Sequence, residues 1–203
     1  MVLKSIREQL DPIFKPKSVA IVGASSTPLK WGFRMIDRPI RTGFKGNIYP
    51  VNIKGETVFG LRTYTRLVDI PDKVDLAIIT IPAPHVPVAL RDCAKKIVGG
   101  VIIITAGFSE VGEKGALIEA EAIEIAQQAK IRFVGPNCMG IWSSANRLNL
   151  SFESAPRPGP ISFISQSGTF GVYLSELANA RGYGLSSFIS IGNQADLNAA
   201  DYI

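Results

Sequence analysis

Histidine and cysteine are nearly missing from this sequence. One histidine, His85, and two cysteines, Cys93 and Cys138, stand among 203 residues. Two cysteines cannot build a disulfide framework and suit a reducing compartment, so the cytoplasm is the expected location. A lone histidine also leaves Cys138 without an identifiable base to make it a nucleophile. A structural or pocket-lining thiol is the better reading, and Cys93 is assigned to packing. Long apolar runs are absent as well. Stretches such as 101–104 fall far short of the roughly 18 residues that span a bilayer, so no membrane helix is expected. The first residues mix Lys4, Arg7, Glu8 and Asp11 with no apolar segment, which argues against a secretory leader. Nor do the cations cluster. The longest basic run is Lys95-Lys96, without interleaved aromatics, so nucleic acid is not an expected partner.

What remains is an ordinary globular composition, 46% apolar and 19% charged, which excludes disorder, coiled coil and collagen. The length allows one good core, or one domain and part of another. Twenty-two basic against seventeen acidic residues give a net charge of +5. That excess fits an ordinary basic surface or a cleft for an anionic small ligand.

Short β-branched runs alternate with longer stretches of helical period. Strands are predicted at 19–22, 48–51, 74–81, 101–104 and 131–134, and helices at 30–41, 85–97 and 113–130. The third run, VDLAIITI, is apolar almost throughout, as a strand covered on both faces should be. Strands and helices in this order imply right-handed βαβ units and a doubly wound parallel sheet, placed at 1–152. Residues 153–160, with Pro156, Pro158, Gly159 and Pro160, read as a linker. Beyond it, strands at 161–164 and 185–191 flank a helix at 168–181, and the last residues look like the start of another helix. This is one βαβ unit, too small to bury both faces of a sheet. The second unit, 161–203, is therefore expected to be incomplete within this sequence, with an exposed apolar face and edge that predict self-association or a disordered tail.

Ligands of such sheets sit beyond the carboxyl ends of the strands. The loop after the first strand holds Gly23, Ala24, Ser25 and Ser26, then Lys30 and Gly32 as the helix begins, so free backbone N–H groups can face a phosphate. It is not a dinucleotide fingerprint. G-x-G-x-x-G is absent, and the second strand ends in Asn52 and Lys54 where a ribose-binding carboxylate would stand. A sugar bearing an extra phosphate fits better than NAD. After the third strand, Pro82, Ala83 and Pro84 make a firm apolar wall. His85 has no identifiable partner that would make it a base, and reads as a residue opening the next helix beside the ligand. Thr105, Ala106, Gly107 and Phe108 follow the fourth strand, with Phe108 and Glu110 candidates to line the pocket. Gly135, Pro136, Asn137 and Cys138 follow the fifth. In the second unit, Ser165-Gln166-Ser167-Gly168-Thr169 joins a strand to a helix and combines hydroxyls with the positive end of a helix dipole. It lacks a P-loop lysine and the glycines of a nucleophile elbow, leaving an anion site or a plain helix cap.

Together these blocks resemble the CoA-binding, alpha-type part of NDP-forming acyl-CoA synthetases, the superfamily of succinyl-CoA synthetase, and most closely its ADP-forming acetyl-CoA synthetase branch. The resemblance rests on residues 14–25 (FKPKSVAIVGAS), 49–52 (YPVN), 75–78 (DLAI), 81–83 (IPA), 105–108 (TAGF), 135–138 (GPNC), 165–169 (SQSGT) and 192–193 (GN), in order along nearly the whole chain. It implies a Rossmann-like CoA-binding domain followed by the first part of a flavodoxin-like domain. By resemblance, Gly23, Ala24, Ser25, Ser26, Lys30 and Gly32 hold the CoA phosphates, and Asn52 and Lys54 meet its phosphoadenosine end. Pro82, Ala83, Thr105, Ala106, Gly107, Phe108, Asn137 and Cys138 flank the rest of the coenzyme. Ser165, Ser167, Gly168 and Thr169 correspond to the phosphate-holding helix start.

The resemblance also implies ATP/ADP and Mg2+ on an ATP-grasp part absent from this sequence. Ala106 stands where succinyl-type enzymes carry glutamate, which favours the acetyl or general acyl branch. The relay histidine of the family falls beyond Ile203, and His85 does not match its motif. No metal ligands and no catalytic residues are assigned, so the sequence alone is expected to bind CoA without turnover. A CoA-binding sensor or carrier without catalysis, and an NAD(P)-binding protein, remain the alternatives.

Overall fold

The computed structural model describes residues 5–203, so Lys4, part of the leader argument, lies outside the described residues. Five parallel strands form the first sheet: β1 (Ser18–Val22), β2 (Asn47–Val51), β3 (Leu76–Ile79), β4 (Gly100–Ile103) and β5 (Arg132–Val134), in the order β2-β1-β3-β4-β5. Val22 lies opposite both Val51 and Ile79, so three strands end level and their loops stand side by side. The connections after β1 and β3 leave toward opposite sides, and the gap between them is the switch point of the sheet.

Alternate strand residues face two separate cores. Ala20, Val22, Ala77, Ile79, Val101 and Ile103 pack with Val86 and Leu90 of α3 (Val86–Lys96) and Ala122 and Ala126 of α4 (Glu113–Ala129). Val19, Ile21, Leu76, Ile78 and Ile102 pack on the other face with Ile13 of α1 (Ile6–Phe14) and Met35 and Ile36 of α2 (Trp31–Thr42). Both faces are covered, which is why the strands read as unbroken apolar runs. The sequence reading lacked α1. Its start is a capping box, with the Ser5 hydroxyl accepting from the Glu8 N–H at 3.3 Å and the Glu8 carboxylate accepting from the Ser5 N–H at 2.8 Å.

The second sheet is larger than one βαβ unit. It contains β6 (Ile141–Ser143), β7 (Leu148–Asn149), β8 (Pro158–Ser165) and β9 (Leu185–Ser190), in the order β7-β6-β9-β8. β8 and β9 are parallel, joined by α5 (Gly168–Ala180), whereas β6 runs antiparallel to β7 and β9. Two strands thus come from 141–149, ahead of the expected linker, and that linker itself runs into β8 at Pro158. β8 is an edge strand with an irregular register between Pro158 and Ser162, the setting in which a sheet tolerates proline. One face of this sheet joins the core around α2 through Ile141, Ile189 and Leu148. The other packs Trp142 and Phe188 against Val172 of α5. The outer face of α5 leaves Phe170, Tyr173 and Leu177 exposed.

Residues 193–197 return to the first sheet and lie along β5. The Leu197 N–H donates to the Phe133 carbonyl at 3.3 Å, and the Asp196 carboxylate accepts from the Phe133 N–H at 2.7 Å and from Arg132 Nε at 3.0 Å. The expected terminal helix is a short 3-10 turn, Ala199–Tyr202. None of the described helices is long and apolar enough to cross a membrane.

Candidate functional site

A cleft of about 830 Å³ opens over the carboxyl ends of β1, β2 and β3, at the switch point. Its first wall is the loop after β1. Gly23 has φ +97°, and a Cβ there would stand 2.6 Å from Thr80 Oγ1, so the turn requires glycine. The loop then folds on itself: the Ser25 hydroxyl accepts from the Thr27 N–H at 3.1 Å, and the Lys30 N–H donates to the Thr27 carbonyl at 3.1 Å. Lys30 is the N-cap of α2 and supplies no side-chain cap. The first turn of α2 therefore keeps its positive end for a ligand. Gly32 lets that turn approach closely, since a Cβ would fall 1.9 Å from the Gly23 carbonyl oxygen.

Asn52 joins the second wall to the first. Its Nδ2 donates to the Ala24 carbonyl at 2.7 Å, and its Oδ1 accepts from the Lys54 N–H at 2.8 Å. A carboxylate could make only the second of these bonds. The asparagine that argued against NAD is thus also the clip holding Lys54 beside the first loop. Pro82, His85, Val88 and Ala89 form the third wall, with Val22, Val51, Val58, Leu67 and Ile81 as apolar lining. His85 opens α3 at its N-cap position, as expected, and is exposed.

Of the sequence-derived candidates, Gly23, Ala24, Ser25, Ser26, Lys30, Asn52, Lys54 and Pro82 line this cleft. Gly32 and Ala83 are buried and outside its lining. The loops after β4 and β5 form a neighbouring group outside the lining. Thr105 Oγ1 donates to the Ile81 carbonyl at 2.7 Å, the Asn137 N–H donates to the Thr105 carbonyl at 2.9 Å, and Gly107 approaches Ala83. Ala106 and Asn137 are exposed. Phe108, expected to line the pocket, is instead wholly buried in the core under its loop. Glu110, the other such candidate, accepts from the Gly107 and Phe108 N–H groups at 2.5 and 3.2 Å and from Asn193 Nδ2 at 2.6 Å. Burial pushes the Glu110 carboxyl up, but these bonds outweigh it and hold the group below the ordinary glutamate range. Cys138 is buried against the Ile103 carbonyl at 3.3 Å, and burial pushes its thiol up to about 12. It offers no nucleophile at neutral pH.

The turn at 165–169 also lies outside the cleft, beside Met139, which a Cβ on Gly168 would strike at 2.4 Å. Its hydroxyls are engaged locally. Ser165 Oγ donates to the Ser167 carbonyl at 2.7 Å, and Ser167 Oγ caps α5 by accepting from the Phe170 N–H at 3.3 Å. Thr169 is exposed. Thr65, Arg66 and Asp92 line the cleft without having been singled out in the sequence. They sit in or against the long irregular stretch after β2, where no hydrophobic period guides the eye.

Comparison with known proteins gives two family matches. Residues 17–143 match a family described as CoA binding domain, and residues 158–203 match the succinyl-CoA ligase like flavodoxin domain. The alpha subunit of acetate–CoA ligase [ADP-forming] II of Pyrococcus furiosus is 42% identical over 192 residues, 95% of this chain and 42% of that one. The 4-hydroxybutyrate–CoA ligase [ADP-forming] of Nitrosopumilus maritimus is 41% identical over 195 residues, 95% of this chain and 28% of that one. A crystal structure from Pyrococcus horikoshii OT3 matches with a TM-score of 0.90 at 44% identity, over 95% of this chain and 44% of that chain. The dinucleotide forming acetyl-coenzyme A synthetase 1 of Ca. Korarchaeum cryptofilum, in complex with phosphate and ADP, gives a TM-score of 0.90 at 37% identity, over 95% and 41%. The chain spans about two fifths of the length of the Pyrococcus furiosus alpha subunit. With these matches, the chain belongs to the CoA-binding domain family, and its relatives include alpha subunits of ADP-forming acetate–CoA ligases.

Proposed function

We propose that this chain is the CoA-binding part of an ADP-forming acyl-CoA ligase. Such an enzyme exchanges an acid, CoA and ATP for acyl-CoA, ADP and phosphate by way of an acyl phosphate and a phosphohistidine. One observation carries the reading: an 830 Å³ cleft whose apolar floor ends on one side in an uncapped helix start with Lys30, and on another in Lys54 clipped by Asn52. A diphosphate suits the first end and a phosphorylated ribose the second, while the apolar lining suits an adenine ring and a pantetheine arm. The loops after β4 and β5 would extend this surface toward the thiol, and the 165–169 turn would face the phosphate of the relay.

The relay histidine, the ATP-grasp part and the Mg2+ that accompanies ATP would come from further protein. His85 opens α3 at the cleft and has a binding role at most. The exposed side chains of α5 and the open edge of β8 support association with that part or with a second copy. Two buried, free cysteines agree with a cytoplasmic location. Isothermal titration of the purified chain with CoA and with NADPH tests the reading. CoA binding with weak or no NADPH binding is the expected result, and the reverse overturns it. Labelled acyl-CoA formed by this chain alone from acid, CoA and ATP would refute the division of labour.

A further inference from the structure

A second cation, Arg66, lines the cleft together with Lys54. The segment carrying Thr65 and Arg66 runs alongside the end of β2: the Asn52 N–H donates to the Tyr64 carbonyl at 2.9 Å, the Tyr64 N–H donates to the Pro50 carbonyl at 3.0 Å, and Gly55 abuts the Thr65 methyl group. Lys54 and Arg66 each lie two residues from this hydrogen-bonded pair, and both line the cleft. Arg66 is further fixed from across the cleft wall by Asp92 of α3, with Nη2 2.6 Å from Oδ1 and Nε 3.3 Å from Oδ2. Asp92 is buried, at 8% exposure, whereas the Arg66 side chain is 55% exposed.

That asymmetry matters. A buried carboxylate is costly unless it is paired, so Asp92 holds the guanidinium in one orientation. Two of the five N–H donors of Arg66 are spent on Asp92, leaving three at the solvent-facing side of the cleft with their plane already set. A pre-set fork suits a phosphomonoester, which accepts two parallel hydrogen bonds and carries nearly two charges.

Resting on the CoA reading above, we propose that Arg66, positioned by Asp92, is a specificity-determining residue that acts with Lys54 to grip the 3′-phosphate of CoA. Lys54 supplies a mobile point charge and Arg66 the oriented fork. Isothermal titration of the chain with CoA and dephospho-CoA tests this, using wild type, Arg66→Ala and Arg66→Lys, each checked for a single cooperative thermal transition above the titration temperature, since Arg66→Ala leaves the buried Asp92 unpaired and lowers the Tm. Wild type is expected to prefer CoA by at least about tenfold, a difference of about 1.4 kcal/mol. Arg66→Ala should lose most of that preference while binding dephospho-CoA within about twofold of wild type, and Arg66→Lys should recover part of it.

An unchanged preference in Arg66→Ala would overturn the proposal. So would equal weakening for both ligands, which would make Arg66 a structural strut. A wild type that binds CoA and dephospho-CoA equally would also overturn it while leaving CoA binding intact. A wild type that binds neither would instead remove the functional reading beneath it.

Discussion

Replacing Gly32 with alanine probes how closely α2 must approach the loop after β1. The new Cβ would lie 1.9 Å from the Gly23 carbonyl oxygen and 2.8 Å from its carbon, where real Cβ contacts essentially never fall below 3.0 Å. Both neighbours are backbone and cannot rotate aside, so the first turn of α2 must retreat by roughly 1 Å. Overpacking of this kind costs about 1–3 kcal/mol, against about 0.5–1 kcal/mol that alanine gains over glycine inside a helix. The net loss centres on about 1 kcal/mol within a range of about 0–2.5 kcal/mol, so the Tm should fall by about 2–4 °C at the centre for a chain of this size. The N–H groups offered to a diphosphate move with the helix, so CoA affinity should fall about tenfold.

Gly115 supplies the control. Its Cβ would lie 1.9 Å from the Phe108 carbonyl oxygen, at the start of α4 and outside the cleft lining. Gly115→Ala should therefore lose similar stability and keep far more of the CoA affinity. Urea unfolding and CoA titration on both variants decide the matter. A Gly32→Ala protein as stable as wild type, or one losing no more affinity than Gly115→Ala, would refute the reasoning.

Glu110 and the cysteines give two further tests. The folded Glu110 carboxyl sits below its ordinary value, so its contribution to stability is full above the unfolded glutamate pKa of about 4.3 and is lost as pH falls through the lower folded value. Urea midpoints followed from pH 7 to 3 should show wild type above Glu110→Gln at neutral pH, with the gap closing in that acid window; a constant gap would contradict the assignment. Cys93 and Cys138 are both buried, with thiols pushed up to about 12 by desolvation. At pH 8 a disulfide reagent should label neither in the folded protein and both in urea, and rapid native labelling of Cys138 would show that its turn opens.

The first sheet was legible because its inner strands are covered on both faces and so carry an unbroken apolar signature, from SVAIV to LAII. The loop after β1 was legible because Gly23, Ser25, Ser26 and Lys30 fall between a strand and a helix. Two elements escaped for different reasons. The capping box of Ser5 and Glu8 was present in the sequence, but Pro12 inside α1 broke the expected helical pattern. β6 and β7 are three and two residues long, too short for any period, and β6 pairs with β9 some 45 residues later. The prolines at 158 and 160 read as a linker because nothing local reveals that their strand lies at a sheet edge. Arg66 was illegible for a related reason: its partner Asp92 lies 26 residues away on another element.

The return of residues 193–197 along β5 means that the two units are not separable beads. A truncation before residue 190 would remove the Asp196 carboxylate that serves Arg132 and the Phe133 amide, and would uncover the flank of the fifth strand. An uncovered flank of this kind recruits other chains, so a shortened coenzyme domain would gain insolubility along with its independence. Recombination that keeps the fifth strand covered must therefore carry the seam with the sheet it closes.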